Sequence, residues 1–377
     1  MLYKHLFVSL LSQKTNLLLG GVMLCLLCLS ACTSDSPPVD STPSISSIEK
    51  LDIHTHFRSD RAYLSNLLED WRMKALLVDV VTSDSTGIKR SWSRLLDQQR
   101  RYPTQFSLCT GFSAFGIDAP DYSEQIISQL EAEIAAGAKM VKVWKNFGLV
   151  DKDQSGQFVQ IDDPRLQPIW DFLIEKDIPV LSHIGEPLQA WRPLEEGNPH
   201  YNYYDNHPEY HFYNQPDVPA WETIMAARDN WLAENPDLVV LGAHMGSMSH
   251  DLDEVAKRLD RFPNFQVETA ARWGDITGQE TEKVKAFFLK YQDRVLYGTD
   301  LGSSGSEDEM SEEDLKAEQN RFEKMWQLHW DYVSGKDSLY FDSPMISFPV
   351  STKSLGLPME VLEKFYRENA RKLLKMK

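Results

Sequence analysis

The chain has 377 residues, of which 42% are hydrophobic, 11% are aromatic and 25% are charged. These proportions are ordinary for a globular protein, and the length is ample for a large hydrophobic core. The formal net charge of −17 and the pI near 5.0 argue against nucleic-acid binding, which needs a basic face, and against a polybasic attachment to anionic lipid. Acidity alone identifies no substrate, because it usually reflects a well-solvated surface.

The N-terminus has the layout of a secretory signal peptide. Lys4 and Lys14 precede an apolar run over residues 17–29, and no acidic residue occurs before Asp35. Basic residues followed by a short apolar run are typical of such signals, and the run is shorter than a confident membrane span. We therefore expect export from the cytoplasm, with an uncleaved signal anchor as the alternative.

The apolar run ends in Leu-Ser-Ala-Cys, which resembles a bacterial lipobox. This resemblance implies cleavage before Cys32, acylation of that residue and attachment to the cell envelope, with the following Thr favouring the outer membrane. The next residues, 33–47, are rich in Thr, Ser, Asp and Pro and suit a flexible tether. After cleavage, Cys109 would be the only thiol without lipid, so no intramolecular disulfide can form. We predict a signal peptide over 1–31, a tether over 32–48 and a single domain over 49–377.

From about Glu49 onward, short apolar runs alternate with helical stretches. Several runs are rich in Val, Leu and Ile, as strands buried on both faces are. Repeated strand–helix alternation favours a (β/α)₈ TIM barrel, with an open doubly wound sheet as the alternative. We see no internal repeat and no boundary to a second domain. The eight predicted strands cover residues 50–54, 75–81, 106–111, 140–144, 179–183, 238–244, 265–269 and 295–298.

Two segments interrupt this alternation, and both follow predicted strands. Residues 186–219 are rich in Tyr, Trp, Pro and His, and residues 301–314 are rich in Ser, Gly and acidic side chains. Both would lie at the C-terminal face of a barrel, where active sites are built. The clearest predicted helix covers 122–136, and an amphipathic pattern over 359–375 suits the last barrel helix.

The strongest local motif is Asp-Ile-His-Thr-His, which contains His54 and His56 at the end of the first predicted strand. Residues two apart in a strand point the same way, so the two imidazoles would share one face. Two neutral imidazoles form half of a zinc-type site. Paired histidines also occur as ordinary surface or core residues, so this motif alone decides little.

Further metal-ligating residues recur at the ends of later predicted strands. His183, His244 and Asp300 each follow an apolar run and precede a Gly or a loop. In a closed barrel these strand ends converge on one mouth, so residues about 250 apart in sequence can bind one ion. The sequence therefore predicts a single metal site at the C-terminal face.

These motifs resemble the amidohydrolase superfamily, specifically its amidohydrolase-related branch, which includes decarboxylases of the aminocarboxymuconate-semialdehyde type and lactonases of aromatic catabolism. The resemblance spans about residues 52–374 and follows the family's order. It is specific for the superfamily and poorly specific for substrate. The matching motifs are Asp-Ile-His-Thr-His, Val-Lys-Val-Trp-Lys, Pro-Val-Leu-Ser-His, Gly-Ala-His-Met-Gly, Tyr-Gly-Thr-Asp and Glu-Asn-Ala-Arg-Lys-Leu-Leu.

The resemblance implies a role for each of the five residues. His54, His56, His183 and Asp300 would bind a divalent metal, most simply zinc, with manganese as the alternative. Asp300 would also exchange a proton with the attacking water or the leaving group. His244 would orient that water or polarise the scissile group, or it would serve only as a structural hydrogen-bond partner. A carboxylate beside such a metal is suited to general-base chemistry.

The number of metal ions depends on two lysines near the end of the fourth predicted strand. In binuclear relatives a lysine there is carbamylated and bridges two ions. Lys142 and Lys145 are three apart, so strict alternation points them to opposite faces, with Lys142 the better inward candidate. In the decarboxylase-like branch the site is usually mononuclear, and such a lysine would instead bind a substrate carboxylate. We favour one ion.

Other residues are candidates for substrate binding, although each also suits a structural role. Glu186 follows His183 by three residues and either reaches the mouth or caps a loop. Glu268 and Arg272 follow the seventh predicted strand and resemble the branch's substrate-side segment, with a structural salt bridge as the alternative. Histidines and tyrosines within 186–219 suit either a lid or an aromatic subsite, or packing between loops.

The leading functional prediction is hydrolysis of an amide or lactone bond in a small molecule by a metal-activated water. Non-oxidative decarboxylation in the same pocket is the closest alternative, because Lys142, Lys145 and Arg272 could fix a substrate carboxylate. Export favours hydrolysis, since bacteria commonly hydrolyse nutrients outside the cytoplasm. A second alternative is a surface lipoprotein that binds a ligand without catalysis. The oligomeric state stays open.

Overall fold

We describe a computed structural model, which covers residues 44–84 and 87–376. The predicted signal peptide, the lipidation at Cys32 and most of the predicted tether lie outside the described residues. The end of the tether is described: Ile45–Ser47 forms a 3-10 turn, and Arg72 donates a hydrogen bond to the Ser46 carbonyl over 2.8 Å. Among the described residues, no helix is both long and apolar enough to cross a membrane.

Thirteen strands lie in the described residues, nine of them in one sheet. The other four form two small antiparallel hairpins, β3–β4 and β12–β13. In chain order the strands are β1 (Lys50–Phe57), β2 (Met73–Val78), β3 (Thr82–Asp84), β4 (Gly87–Lys89), β5 (Phe106–Gly111), β6 (Ala138–Val143), β7 (Val180–Ser182), β8 (Val240–Gly242), β9 (Phe265–Glu268), β10 (Val295–Leu296), β11 (Leu301–Ser303), β12 (Ser338–Phe341) and β13 (Val350–Lys353).

The nine-stranded sheet is parallel throughout and closes into a barrel. Its order is β10-β9-β8-β7-β6-β5-β2-β1-β11. β10 pairs with β9, and β11, which follows four residues later, pairs with β1. Two backbone hydrogen bonds link the intervening residues to β1: Ile53 N donates to Tyr297 O over 3.0 Å, and Asp300 N donates to His54 O over 2.9 Å. β10 and β11 are thus the two halves of one eighth barrel strand.

The predicted TIM barrel is confirmed, and each of the eight predicted strands overlaps an observed one. The segment 301–314, predicted to interrupt the strand–helix alternation, begins with strand β11 (Leu301–Ser303), which pairs with β1. Gly302 permits that pairing, since a Cβ there would lie 2.9 Å from the His56 carbonyl oxygen. The Ser- and Gly-rich composition of this region therefore reflects close strand packing as well as a turn.

Helices follow most barrel strands and cover the outside of the sheet. In chain order they are α1 (Leu64–Asp70), α2 (Trp92–Arg101), α3 (Tyr122–Ala135), the turn α4 (Asn146–Leu149), α5 (Gln167–Glu175), α6 (Tyr201–Asn206), α7 (Trp221–Glu234), the turn α8 (Ala243–Gly246), α9 (Leu252–Arg261), α10 (Trp273–Thr277), α11 (Thr281–Lys290), α12 (Glu312–Ser334), α13 (Met359–Glu363) and α14 (Asn369–Leu373). A π-helical turn over Lys364–Glu368 joins α13 to α14. The helices predicted over 122–136 and 359–375 are confirmed.

Two buried apolar clusters show which strand faces point inward. The larger one fills the space between the sheet and the surrounding helices. The smaller one fills the barrel interior and includes Leu51, Leu76, Leu181 and Leu241. Because side chains alternate along a strand, the residues that continue this inner set reach the barrel mouth, which is where the polar site lies.

Candidate metal centre and active-site pocket

Strand β1 carries both histidines of the first motif into the barrel mouth. Strict alternation would place His54 on the face opposite its neighbour Ile53, yet Ile53 packs in the inner cluster and His54 also contacts residues inside the barrel. The register between β1 and β2 shifts between Asp52 and Thr55, which allows successive residues to turn inward. Such irregularities re-aim side chains beside active sites.

His54, His56 and Asp300 bring three ligand atoms together. Asp300 Oδ1 lies 3.0 Å from His56 Nε2 and 3.7 Å from His54 Nε2. The Nδ1 atoms are used elsewhere, His54 Nδ1 on Glu268 Oε1 at 2.8 Å and His56 Nδ1 on the Val78 carbonyl at 3.3 Å. A neutral imidazole that donates from Nδ1 carries a lone pair on Nε2. Two such lone pairs therefore face a carboxylate oxygen, an arrangement that a cation stabilises.

The charge states suit metal binding. Burial lowers the pKa of His56 to about 4, so its ring is neutral at neutral pH. Burial alone would raise the pKa of Asp300, but His56, His54 and Lys142 together hold it below its ordinary value, so the carboxylate stays ionised. Neutral imidazoles with a carboxylate are the ligand types of zinc and related divalent ions.

His183 and His244 lie beside this group. The ring centroids of His183 and His244 are 4.3 Å apart, and those of His244 and His54 are 4.9 Å apart. Burial lowers the pKa of both His183 and His244 well below the ordinary value. His183 Nε2 is buried without a hydrogen-bond partner, and such an orphaned atom in a polar site indicates a missing ligand. The ligand atoms of His54, His56 and Asp300 lie within 4.8 Å of one another, a donor set that fits a divalent metal. His183 lies outside this set, beside His244.

Two of these residues adopt a left-handed backbone conformation. The φ angles are 58° at His244 and 66° at Asp300. For residues other than Gly this region costs about 1–3 kcal/mol, and such strain clusters at active sites. Hydrogen bonds hold both residues in place: His244 N donates to Glu268 Oε1 over 2.8 Å, and Asp300 N donates to His54 O over 2.9 Å. The strain places both side chains at the barrel mouth.

Glu268 lies behind His54 and His244 and does not line the pocket at the barrel mouth. Its fully buried carboxylate accepts hydrogen bonds from His54 Nδ1 and from the backbone N–H groups of His244 and Ala270. Gly298 makes room for it, because a Cβ there would lie 2.5 Å from Glu268 Oε2. A carboxylate on the second nitrogen of a metal-binding histidine fixes the ring's orientation and raises its basicity.

Lys142 and Lys145 occupy different positions, but strand alternation does not explain this, because β6 ends at Val143 and Lys145 directly precedes the turn α4. Lys142 points inward, with Nζ 3.3 Å from His54 Nε2, and burial lowers its pKa to about 8. Lys145 instead forms a buried ion pair with Glu186 and a 3.0 Å hydrogen bond to the Tyr203 hydroxyl. Lys142 is therefore the lysine beside His54, and Lys145 is held by Glu186.

A pocket of about 100 Å³ opens over the site. It includes Asp300 and His244 from the site itself, and a wall supplied by the segment 186–219. That segment is ordered by α6 and by Trp191, whose indole N–H donates to the Pro219 carbonyl over 3.0 Å. The residues that line the pocket are His183, Glu186, His200, Tyr203, Tyr204, His244, Ala271, Arg272, Asp300 and Met345.

Arg272 is a buried cation without a carboxylate partner. Its side chain is 7% exposed, and it forms no ion pair with any residue in the described ranges. One terminal nitrogen donates to the Ala271 carbonyl over 2.8 Å, while Nε has no partner. The charge is only partly compensated, through the longer-range attraction of the Asp275 carboxylate, and burying such a charge is costly. Its position in the pocket wall therefore indicates a site for an anionic group.

Sequence reasoning missed one pair in the pocket wall. His200 lies within the segment predicted as a lid, and its Nε2 contacts Asp275 Oδ2 at 2.9 Å. Asp275, on α10, carries no sequence signal, because it stands in no motif and lies 75 residues from its partner. Only the fold brings the two together. The carboxylate also accepts a hydrogen bond from the Ser249 hydroxyl.

The chain was compared with protein families and with curated proteins. Residues 52–376 match the profile of the family described as Amidohydrolase, which covers nearly all of the described barrel. The comparison with curated proteins gave no match.

The chain is similar to several solved structures, all at low sequence identity. An uncharacterised TIM-barrel protein from Bordetella bronchiseptica is 15% identical, with a TM-score of 0.49, over 87% of this chain and 99% of the other. A dihydroxybenzoic acid decarboxylase from a Polaromonas species, with bound manganese and 2-nitroresorcinol, is 16% identical, with a TM-score of 0.48, over 87% and 97%. A probable 2-pyrone-4,6-dicarboxylic acid hydrolase from Acinetobacter baumannii is 9% identical, with a TM-score of 0.47, over 87% and 100%.

Proposed function

This chain belongs to the amidohydrolase family of enzymes, and from that premise we propose that it hydrolyses an amide or lactone bond of a small molecule by a metal-dependent reaction. The observation that carries the proposal is the convergence of His54, His56 and Asp300, each of which brings one ligand atom within 4.8 Å of the others. His244 and His183 lie next to this group, with ring centroids 4.9 Å apart for His244 and His54 and 4.3 Å apart for His183 and His244. This arrangement supports chemistry in which a carboxylate and an imidazole act beside one cation.

Four residues would hold the ion: His54, His56, His183 and Asp300. We propose a single ion, with zinc favoured by the histidine-rich donor set and manganese as the alternative. When bound, a divalent ion supplies Lewis acidity, which polarises an oxygen atom and brings the pKa of water towards about 7. Lys142 then supplies a positive charge beside the ligands, 3.3 Å from His54 Nε2.

Asp300 and His244 have different proposed roles beside the ion. Asp300 is ionised and 25% exposed at the pocket, so it can accept a proton from the attacking water. His244 Nδ1 donates to the Ala270 carbonyl over 2.8 Å, which leaves Nε2 as an acceptor. An acceptor can hold a water by its hydrogen but cannot donate to a carbonyl oxygen. This geometry therefore favours water orientation by His244.

Decarboxylation is the second candidate, and Arg272 is the observation that favours it. A buried guanidinium with an unpartnered Nε suits a substrate carboxylate, because arginine binds carboxylates with geometric specificity. A carboxylate held there would lie in the same pocket as Asp300. The two candidates therefore share a substrate class and differ in which bond breaks.

Product analysis separates the candidates. The full chain, loaded with zinc or manganese, is incubated in ¹⁸O-labelled water with carboxylated lactones, N-acyl amino acids and hydroxybenzoates. The masses of the products are then measured by mass spectrometry. Hydrolysis adds one labelled water, whereas decarboxylation loses CO₂ without label. Asp300→Asn should abolish turnover, and His207→Gln, at a half-exposed histidine, should not. Loss of CO₂ without uptake of label would overturn hydrolysis in favour of decarboxylation.

We further propose that the protein is exported and anchored in the cell envelope, where it acts on small molecules outside the cytoplasm. The support is the signal-like N-terminus and the lipobox-like sequence that ends at Cys32. Growth with radiolabelled palmitate should label the wild-type chain, and Cys32→Ser should abolish the label, with Cys109→Ser as the matched control. A chain labelled equally in wild type and Cys32→Ser would contradict the anchor.

A further inference from the structure

His200 and Asp275 form a buried pair in the wall of the active-site pocket. His200 Nε2 lies 2.9 Å from Asp275 Oδ2, and the two residues are 8% and 6% exposed. His200 itself lines the pocket together with Asp300 and His244. The pair therefore stands beside the metal centre while sharing no ligand with it.

The two nitrogens of the His200 ring have different surroundings. Nε2 is held by Asp275, whereas Nδ1 has no protein partner among the described residues. A buried carboxylate on one ring nitrogen fixes the tautomer and stabilises the imidazolium when the other nitrogen takes up a proton. Nδ1 is thus the nitrogen that is free to exchange a proton with a ligand in the pocket.

Asp275 is built to remain ionised. Burial alone would raise its pKa, but His200, the Ser249 hydroxyl and the charge of Arg272 together hold that pKa below its ordinary value. The Gln189 amide also approaches its other oxygen, at 3.4 Å. A carboxylate with this many donors keeps both its charge and its position.

The backbone around His200 is fixed as well. His200 N donates to the Asn198 side chain over 2.9 Å, and Tyr204 N, one turn on, donates to the His200 carbonyl over 3.1 Å. The Tyr204 ring lies 6.1 Å from the imidazole between centroids. A catalytic group needs this kind of positioning, because small displacements cost much of its effect.

We propose that His200, oriented by Asp275, is the proton donor for the leaving atom of the substrate. This rests on the proposed hydrolysis. As the C–O or C–N bond breaks, its electron pair stays on the leaving atom, which takes the proton from Nδ1 of the imidazolium. Asp300 takes the proton of the attacking water and releases it to solvent, and His200 regains one from solvent. The balance is the addition of one water.

A first test needs no turnover. The full, metal-loaded chain is labelled with ¹⁵N-histidine, and His200→Gln assigns the resonance of His200. In its neutral form the ring should carry hydrogen on Nε2, and Asp275→Asn should shift the population towards the other tautomer. Hydrogen on Nδ1 in the wild-type protein would overturn the assignment, because that nitrogen would then already serve as a donor in the neutral form.

A second test uses two esters with the same acyl group. Phenyl acetate releases a basic phenolate, whereas 4-nitrophenyl acetate releases a stable one that needs no proton. His200→Gln should lower kcat for phenyl acetate by about 100-fold, the usual range for general acid catalysis, with KM nearly unchanged. The same variant should lower kcat for 4-nitrophenyl acetate far less. His207→Gln, in the same segment, is the matched control.

The outcomes separate the two proposals. Equal losses on both esters would mean that His200 only holds the pocket wall in place, and would overturn proton donation. If the wild-type enzyme hydrolyses neither ester nor any compound in the ¹⁸O experiment, the proposed hydrolysis fails instead. Asp275→Asn should reproduce the leaving-group dependence of His200→Gln more weakly, since it keeps a hydrogen-bond acceptor. An effect of Asp275→Asn without that dependence would also contradict proton donation.

Discussion

Glu268 Oε1 lies 2.8 Å from His54 Nδ1, and this contact decides which nitrogen of His54 faces Asp300. The glutamate is fully buried, and it binds the backbone of His244 at the same time. One carboxylate therefore orients a metal ligand and the loop that carries a second site residue. This arrangement links the geometry of β1 to that of β9, which carries Glu268, and to the turn after β8, which carries His244.

We predict that Glu268→Gln weakens metal binding while the fold persists. In the wild-type protein His54 Nδ1 and His244 N donate to the Glu268 carboxylate. The amide of the variant would place an N–H group against these donors, so His54 loses its orientation. Loss of such an orienting group typically lowers metal affinity by about 10–100-fold. Competition with a chelator measures the affinity. Glu133→Gln is the control, since Glu133 is also buried but pairs with Arg90 outside the site; equal affinities in both variants would contradict the role of Glu268.

Arg272→Gln should separate stability from substrate binding. The wild-type side chain is buried without an ion pair, and only the longer-range attraction of Asp275 offsets its charge. Its removal should therefore leave the free energy of unfolding nearly unchanged. Binding of benzoate, a simple carboxylate, should weaken by at least about 10-fold, as expected for a lost charge-assisted hydrogen bond. Calorimetry measures the binding and urea unfolding the stability. Benzyl alcohol serves as the neutral control, and equal benzoate affinity would refute the anion site.

The Lys145–Glu186 pair should be costly to break from one side. Both side chains are nearly fully buried, at 2% and 3% exposed. Glu186→Gln leaves Lys145 as an unpaired buried cation, which should lower the free energy of unfolding by about 3–5 kcal/mol. The double variant Lys145→Met with Glu186→Leu should recover much of that loss. Urea unfolding checks both, with the exposed Lys290–Asp260 pair as control; a Glu186→Gln protein as stable as wild type would contradict the prediction.

His329 should make the fold sensitive to acid. It stacks between Trp273 and Phe341, and burial lowers its pKa to about 3 from an ordinary value of 6.5. Between these two pH values the unfolded chain binds the proton and the folded chain does not, so stability falls as pH falls, by roughly 1 kcal/mol per pH unit. His329→Phe should remove that contribution from the slope measured by urea unfolding. An unchanged slope between pH 6.5 and 4 would rule it out.

The barrel could be predicted from the sequence because the strand and helix patterns alternate regularly from about residue 49 onward. Several apolar runs end in His or Asp, and a parallel barrel brings the ends of its strands together at one mouth. The topology alone therefore predicts that His183 and Asp300 approach His54. Strand alternation likewise predicts that Lys142 points inward, because it lies two residues after Met140 of the inner apolar cluster. These are consequences of connectivity and periodicity, which are properties of the sequence itself.

The finer geometry could not be predicted in this way. The irregular register in β1 turns both Ile53 and His54 inward, against simple alternation. Glu268 was expected near the substrate, but the absence of a Cβ at Gly298 lets it reach behind His54. The His200–Asp275 pair depends on how a long segment packs on a distant helix. Each of these relationships arises from tertiary packing, and no local pattern encodes it.

The most direct test of the account is the metal content of the purified full chain. After dialysis against zinc and then against metal-free buffer, elemental analysis should find about one equivalent of divalent ion per chain. His54→Ala combined with His56→Ala should lose that ion and remain folded by circular dichroism, whereas His207→Ala should retain it. A folded wild-type chain without metal, or a double variant that keeps its ion, would contradict the proposal that these imidazoles and Asp300 surround a cation.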